Sequence, residues 1–200
     1  MDLGVIIDSK LRFKEQINSL VTKAHQRACL IMRCFKSREP LLLFRAFCVY
    51  VRPLIAYCVP VWSPGYSTDI IKLEAVQRRF TKRLRGFRLL TYRERLSKLN
   101  IDSLELRRMK LSLLIIYKIL HGLIEIDSSI FVLSATCTRG HSLKLVKPAA
   151  NINCRRFSFA CRYIDIWNFL PDSVVCAENT VAFKKLLNKV DLSKFQQAPM

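Results

Sequence analysis

The sequence predicts a mainly α protein: a helical bundle, preceded by one stray strand and followed by a small mixed α/β module. Three observations carry this expectation. Apolar residues recur at steps of three and four over most of the stretch from Phe13 to Leu120. Helix-start patterns stand at Thr91-Tyr92-Arg93-Glu94 and at Asp102-Ser103-Leu104-Glu105. After Ile124 the composition shifts toward Ser, Thr, Pro and basic residues, and the long helical periods stop.

Each element has its own signal. Val5, Ile6 and Ile7 form a β-branched run closed by Asp8 and Ser9, with no partner strand within hairpin distance, so the run reads as the edge of a sheet lying upstream. Phe13, Ile17, Leu20, Val21, Ala24, Ala28, Ile31 and Cys34 follow the helical period, with Lys23, Arg27 and Arg33 off that stripe. Ser37 to Pro40 breaks the run, because proline disfavours helix in the residue before it. Leu41 to Trp62 is the most apolar stretch, but Arg45, Arg52 and Pro53 divide it into pieces too short to span a bilayer. A buried helix kinked near Pro53 is the expectation, with Pro60, Pro64 and Gly65 ending it.

Beyond it a basic helix is expected from Asp69 to Arg88, then a short one over Thr91–Leu99. A longer one follows, on which Leu106, Met109, Leu113, Ile116 and Leu120 share a face and Gly122 is the stop. Ser142 to Lys147 alternates like a weak strand. Phe157, Cys161, Ile164, Trp167 and Leu170 suit a helix ending before Pro171, although the Phe157/Phe159/Cys161 alternation leaves a strand open at its start. Asn179 and Thr180 are the caps expected for a last helix over Val181–Val190.

The chain has 200 residues, 51% of them hydrophobic, which is enough for one sizeable core or two small ones. Its net charge of +19 makes the compact state repel itself, and an anionic partner relieves that repulsion. Nucleic acid leads and an acidic membrane surface comes second. Of the eight cysteines, Cys29, Cys34, Cys48 and Cys58 lie in apolar helical runs, where free cysteine packs as a small hydrophobe. With no secretory pattern after Met1, the chain reads as intracellular and reduced. Cys137, His141, Cys154 and Cys161 lack the close pairs that structural zinc sites present, so no metal site is expected.

The basic helix carries the functional signal. Leu73, Val76, Phe80, Leu84 and Phe87 mark its buried stripe, while Lys72, Arg78, Arg79, Lys82, Arg83, Arg85 and Arg88 belong to its cationic back. Between Lys72 and Lys110 stand thirteen Lys/Arg against four acids, a local charge of +9. No acid lies between Glu74 and Glu94, so the i,i+4 pairs of an ordinary solvated face are missing. Phe80 and Phe87 are expected in the core and not as stacking platforms, which makes the binding backbone-directed. A peripheral membrane role needs an exposed apolar face, and this stripe is committed to a core.

Catalytic patterns are absent. The fifteen acids are scattered, the five glycines form no phosphate loop, and His25, His121 and His141 have no nucleophile near them in sequence. Tyr57, Trp62 and Trp167 read as structural anchors whose polar ends need partners.

Asp2-Leu3-Gly4-Val5-Ile6-Ile7-Asp8, followed by Leu11, Phe13 and Ile17, resembles the segment that closes the palm of non-LTR retrotransposon reverse transcriptases of the jockey-like group of long interspersed elements. Further matches come in the family's order. They are Tyr57-Cys58-Val59-Pro60-Val61-Trp62-Ser63-Pro64, Leu73-Glu74-Ala75-Val76-Gln77-Arg78-Arg79-Phe80-Thr81-Lys82, Tyr92-Arg93-Glu94-Arg95-Leu96, Tyr117-Lys118-Ile119-Leu120-His121-Gly122 and Trp167-Asn168-Phe169-Leu170-Pro171. The resemblance implies a remnant palm strand over 1–10, a thumb-like helical domain over 11–125 that grips the template–primer duplex, and a C-terminal module over 126–200.

The family's polymerase chemistry uses palm aspartates, including a Phe/Tyr-Ala-Asp-Asp turn, to hold two Mg2+ ions. That turn is not among these residues, and Asp2 and Asp8 do not replace it. The expectation is therefore a non-catalytic part of an RNA-directed DNA polymerase, with no cofactor of its own. It would bind RNA or an RNA–DNA duplex, with other parts of the retrotransposon machinery as further partners and no membrane. The alternative is a standalone basic module acting on RNA or on an acidic protein. A poorly folded relic is a third reading.

Overall fold

The computed structural model describes residues 2–126, 130–135 and 140–197, and it is mainly helical. In the first part lie α1 (Lys14–Cys34), α2 (Pro40–Tyr50), α3 (Arg52–Ala56), α4 (Val59–Trp62), α5 (Ser67–Lys82), α6 (Tyr92–Leu99) and α7 (Leu104–Leu120). After it come α8 (Asn153–Arg156), α9 (Phe159–Arg162), α10 (Ile164–Phe169), α11 (Asp172–Val175), α12 (Thr180–Leu187) and a 3-10 turn at Ser193–Phe195. The chain divides into two compact units, and the division falls between Arg107 and Arg108, inside α7. The sequence reading puts a boundary at 125/126 instead. The division lies earlier because the α7 face beyond Arg108 is committed to the second unit. The Tyr117 hydroxyl donates to the Ala177 carbonyl at 2.6 Å, and its ring stacks on Phe183 at 4.3 Å.

In the first unit α1 buries Ile17, Leu20, Ala24, Ala28 and Ile31, the stripe expected from its period. Cys29 and Cys34 lie outside that stripe and are exposed, contrary to the reading of them as packed hydrophobes. The apolar run from Leu41 to Trp62 is not one kinked helix but three short ones. Pro53 has no amide to continue α2, and Cys58 takes a left-handed φ of 50° between α3 and α4. Phe47 stacks on Phe80 of α5 with centroids 4.5 Å apart, a pair worth about 1 kcal/mol beyond the area it buries. Trp62 is fully buried, and its indole N–H donates to the Tyr57 carbonyl at 2.6 Å. The exposed Tyr57 donates its hydroxyl to the Leu3 carbonyl at 2.9 Å.

The expected strand at Val5–Ile7 is a single bridge. Asp2 and Val5 exchange both backbone hydrogen bonds around Leu3 and Gly4, and Val5 is buried in the core. Asp8 closes this segment. Its carboxylate accepts from the amides of Lys10, Arg12 and Phe13, and those bonds, the one from Arg12 foremost, hold its pKa below the usual carboxylate range.

A buried polar chain joins α3, α5, α6 and α7. Glu74, 2% exposed, accepts from the backbone amides of Leu104 and Glu105 at 3.0 Å each and from the Tyr92 hydroxyl. It therefore caps the first turn of α7, its oxygens satisfying amides that the helix itself leaves without partners. Burial and the Glu74 carboxylate push the Tyr92 phenol far above its ordinary pKa, so the hydroxyl stays a donor. Gln77 continues the chain. Its amide donates to Tyr92 at 3.1 Å and to the Asp102 carbonyl at 3.1 Å, and its oxygen accepts from Arg52 at 3.0 and 3.2 Å. Of the two start patterns, Thr91 and Glu94 form a complete capping box on α6, whereas α7 starts one residue later than its pattern suggests: Ser103 and not Asp102 is the cap, and its hydroxyl accepts from the Leu106 amide at 3.1 Å.

The second unit replaces the expected α/β module with short helices and one isolated bridge, Leu133 to Leu145; no sheet forms among the described residues. Around that bridge the Ser134 amide donates to the Lys144 carbonyl and the Val146 amide to the Val132 carbonyl, both at 2.8 Å, so the expected Ser142–Lys147 strand pairs with residues 132–134 along one edge, and Asn168 serves its other edge. The Asn168 side chain accepts from the Leu145 amide and donates to the Leu145 carbonyl, both at 2.9 Å. Trp167, fully buried, donates to the Leu143 carbonyl at 2.8 Å. The helix expected from Phe157 is split, with α9 ending at Arg162 and α10 starting at Ile164. Gly122, at φ 65°, stops α7 where the sequence puts the stop, and the Leu123 amide bonds the Lys118 carbonyl at 2.8 Å. Asn179 caps α12 through the Val181 and Ala182 amides.

Glu74→Ala orphans two amides and a buried phenol and is expected to cost about 3 kcal/mol in urea denaturation, against about 1 kcal/mol for Tyr92→Phe. His141 provides a pH test. It is buried edge-on to Trp167 with Nε2 3.1 Å from the Trp167 carbonyl, and burial lowers its pKa despite that bond. Its folded value lies below the unfolded value of about 6.5. Its contribution is therefore fully present above that pH and lost as pH falls through the folded pKa. The melting temperature of the second unit, followed by Trp167 fluorescence in a Trp62→Phe background, should drop between pH 7 and 5, and His141→Gln should flatten that drop.

Candidate nucleic-acid interface

α5 positions the basic residues. Ile70, Leu73, Val76, Gln77, Phe80 and Thr81 form its buried face, and Leu73, Val76 and Gln77 are fully shielded. The helix ends at Lys82, six residues short of the expected Arg88. The Thr81 hydroxyl donates to the Gln77 carbonyl at 2.9 Å, and beyond Arg83 the chain continues as consecutive turns through Gly86 at φ 78°. Leu84 and Phe87 are nevertheless buried, at 2% and 4% exposure, so the apolar stripe outlasts the helix that suggested it.

The seven cations singled out from the sequence separate into three situations. Arg79, Lys82, Arg83, Arg85 and Arg88 are exposed, the first two on α5 and the rest on the turns after it. Lys72 is exposed too, but Asp69 lies 3.4 Å from its ammonium, one turn back on the same helix. Arg78 is not on the cationic back at all: it is half-buried, with its guanidinium over the Tyr92 ring at 4.9 Å. Arg95, equally part of the charge count, is buried and donates to the Arg78 carbonyl at 2.9 Å. The aromatic Tyr92 draws both arginines inward, because a π face stabilises a guanidinium that burial would otherwise penalise.

The sequence reading missed α1. A groove of about 730 Å³ runs between α1 and α5, with Thr22, His25, Gln26, Cys29 and Arg33 on one wall and Arg79 on the other. Arg83 reaches into the same region, its guanidinium 3.7 Å from the Cys29 sulfur. Burial, and secondarily the positive charge of Arg79, lower the His25 pKa. The signal was present: His25, Cys29 and Arg33 follow one another at four-residue steps, one strip beside the apolar stripe of α1.

No group of three or more metal-ligating side chains occurs among the described residues. Cys137, one of the four residues weighed for zinc, lies outside the described residues, and the seven described cysteines are free. No helix among the described residues is long and apolar enough to cross a membrane. The arrangement offers charge and shape for a polyanion. Arg78→Gln should cost about 1 kcal/mol of stability through the lost Tyr92 stack, whereas Arg85→Gln should stay within about 0.5 kcal/mol, both measured by urea denaturation.

Compared with known proteins, the chain is 30% identical over 125 residues to a Caenorhabditis elegans protein named Uncharacterized protein B0403.1. The match covers 60% of this chain and 63% of that protein. No protein-family model matches the chain, and no solved structure matches it.

Proposed function

We propose that this chain is the thumb and post-thumb part of a non-LTR retrotransposon reverse transcriptase, and that it binds template–primer nucleic acid through phosphate contacts. One observation carries the binding: Arg79, Lys82, Arg83, Arg85 and Arg88 are exposed along one stretch of chain in which residues 75–93 contain no carboxylate. A solvated face would mix both signs; a uniform run of cations on a helix end and the turns after it suits a regularly spaced polyanion. The ordered series of family-like motifs supports the assignment to the polymerase, and the reading puts the chain inside the cell, with its polynucleotide partner.

The parent enzyme needs Mg2+, and the residues of this chain do not fit that role. Both carboxylate oxygens of Asp8 are taken by backbone amides, and the Glu74 carboxylate is spent on capping α7. Polymerisation is therefore assigned to no residue here. The work of this part is to hold the duplex.

Titration against a labelled RNA–DNA hybrid at several salt concentrations tests the reading, with single-stranded RNA as the comparison. Preference for the hybrid, with log K falling linearly with log salt, is the expected result. Changing Lys82, Arg83, Arg85 and Arg88 to Gln should make that slope shallower by about 0.9 for each phosphate contact removed. Equal binding to both polymers would favour a standalone basic module instead. Binding unchanged in the variant would reduce the interaction to diffuse charge.

A further inference from the structure

The groove between α1 and α5 has no role in the packing already described. Its lining includes guanidiniums from two helices, Arg33 from α1 and Arg79 from α5, and Arg83, on the turn after α5, lies beside it against the Cys29 sulfur. No carboxylate lines it. Neither Arg33 nor Arg79 has an ion pair among the described residues, so the two cations that line the groove are unrelieved, and Arg83 adds a third beside it. Val21 and Leu30 give the groove an apolar floor, and His25 and Gln26 line it as well, where each can offer an N–H. The groove also adjoins the exposed cations, because Arg79 is one of them and Arg83 touches its lining residue Cys29.

We infer that this groove seats the phosphodiester backbone of one strand of the bound nucleic acid, with Arg33, Arg79 and Arg83 on phosphates and His25 and Gln26 as hydrogen-bond donors to the same strand. The inference rests on the proposed nucleic-acid reading and adds α1 to it: the interface is a two-helix track and not the back of α5 alone. Charge complementarity selects the occupant. A polyanion with one charge per repeat meets successive cations at the groove and then along the turns to Arg88, whereas a lipid surface would need a flat face.

Cys29 makes the groove testable. It is exposed and lines the groove, while Cys34 is exposed on the same helix outside it, and Cys154 and Cys176 are exposed in the other unit. The full chain is alkylated with iodoacetamide, free or saturated with RNA–DNA hybrid, and each cysteine is read by peptide mass spectrometry. Bound hybrid should slow Cys29 labelling by at least about fivefold and leave Cys34, Cys154 and Cys176 unchanged. In parallel, the Arg33→Gln, His25→Ala double variant should bind the hybrid several-fold more weakly, with a salt slope shallower by about 1 and an unchanged circular dichroism spectrum.

Hybrid that binds, responds to the Lys82/Arg83/Arg85/Arg88 substitutions and leaves Cys29 unprotected would overturn the groove assignment while the reading of α5 survives. A double variant that binds as tightly as the parent chain would do the same. No hybrid binding at all would remove both. Equal protection by polyglutamate would overturn the choice of nucleic acid as the occupant.

Discussion

The buried carboxylate of Glu74 is the constraint on which the first unit depends. It sits in the middle of α5, yet its oxygens serve the first turn of α7 and the hydroxyl of Tyr92 on α6. A carboxyl group held at 2% exposure needs donors around it, and here the orphan amides of a helix start supply them. Because Glu74 must face inward, the rotation of α5 is fixed. Gln77, one turn on, then meets Arg52 and the Asp102 carbonyl, and Phe80 meets Phe47. The opposite side of the helix is left to Arg79 and Lys82. The cationic surface is thus a consequence of how a single acid is satisfied.

The same network explains which basic residues are lost to the interface. Tyr92 lies between Glu74 and Gln77 through its hydroxyl and offers its ring to Arg78 and Arg95. Those arginines support the packing of α6 on α5, while beyond Thr81 Lys82 ends α5, Arg83 reaches the Cys29 sulfur of α1, and Arg85 and Arg88 are exposed on the turns that follow. A strong count of positive charge therefore mixes two populations, one that stabilises the fold and one free to meet a polyanion. The groove beside α1 is lined by Arg33 and Arg79 with Arg83 next to it, and it offers a concave shape that a convex helix back lacks.

The second unit solves a different problem. A segment with strand-like alternation pairs on one edge with residues 132–134, and the backbone groups on its other edge are costly to leave unpaired when shielded from water. Trp167 and Asn168 of α10 supply the missing partners, the indole for Leu143 and the amide side chain for both backbone groups of Leu145. Two side chains on one short helix thus stand in for a strand on that second edge, and no sheet grows there among the described residues.

Local signals in the sequence determined much of this fold. The helical period fixed α1, α5 and α7, the capping box fixed the start of α6, and Gly122 fixed the end of α7, because each is a property of a few neighbouring residues. Burial of Leu73, Val76, Phe80, Leu84 and Phe87 was legible too, even though the helix stops at Lys82. What the tertiary structure alone decided were the long-range partnerships. A five-residue run such as Val5-Ile6-Ile7-Asp8-Ser9 cannot show that it lacks a sheet, and Arg78 cannot show that Tyr92, fourteen positions on, will cover it. The groove that unites Arg33 with Arg79 joins residues forty-six apart, and only the packing of α1 against α5 brings them to one place. Period and caps are written in adjacent residues. The facing of one side chain toward another depends on the rotation of whole helices, and in this protein Glu74 sets that rotation.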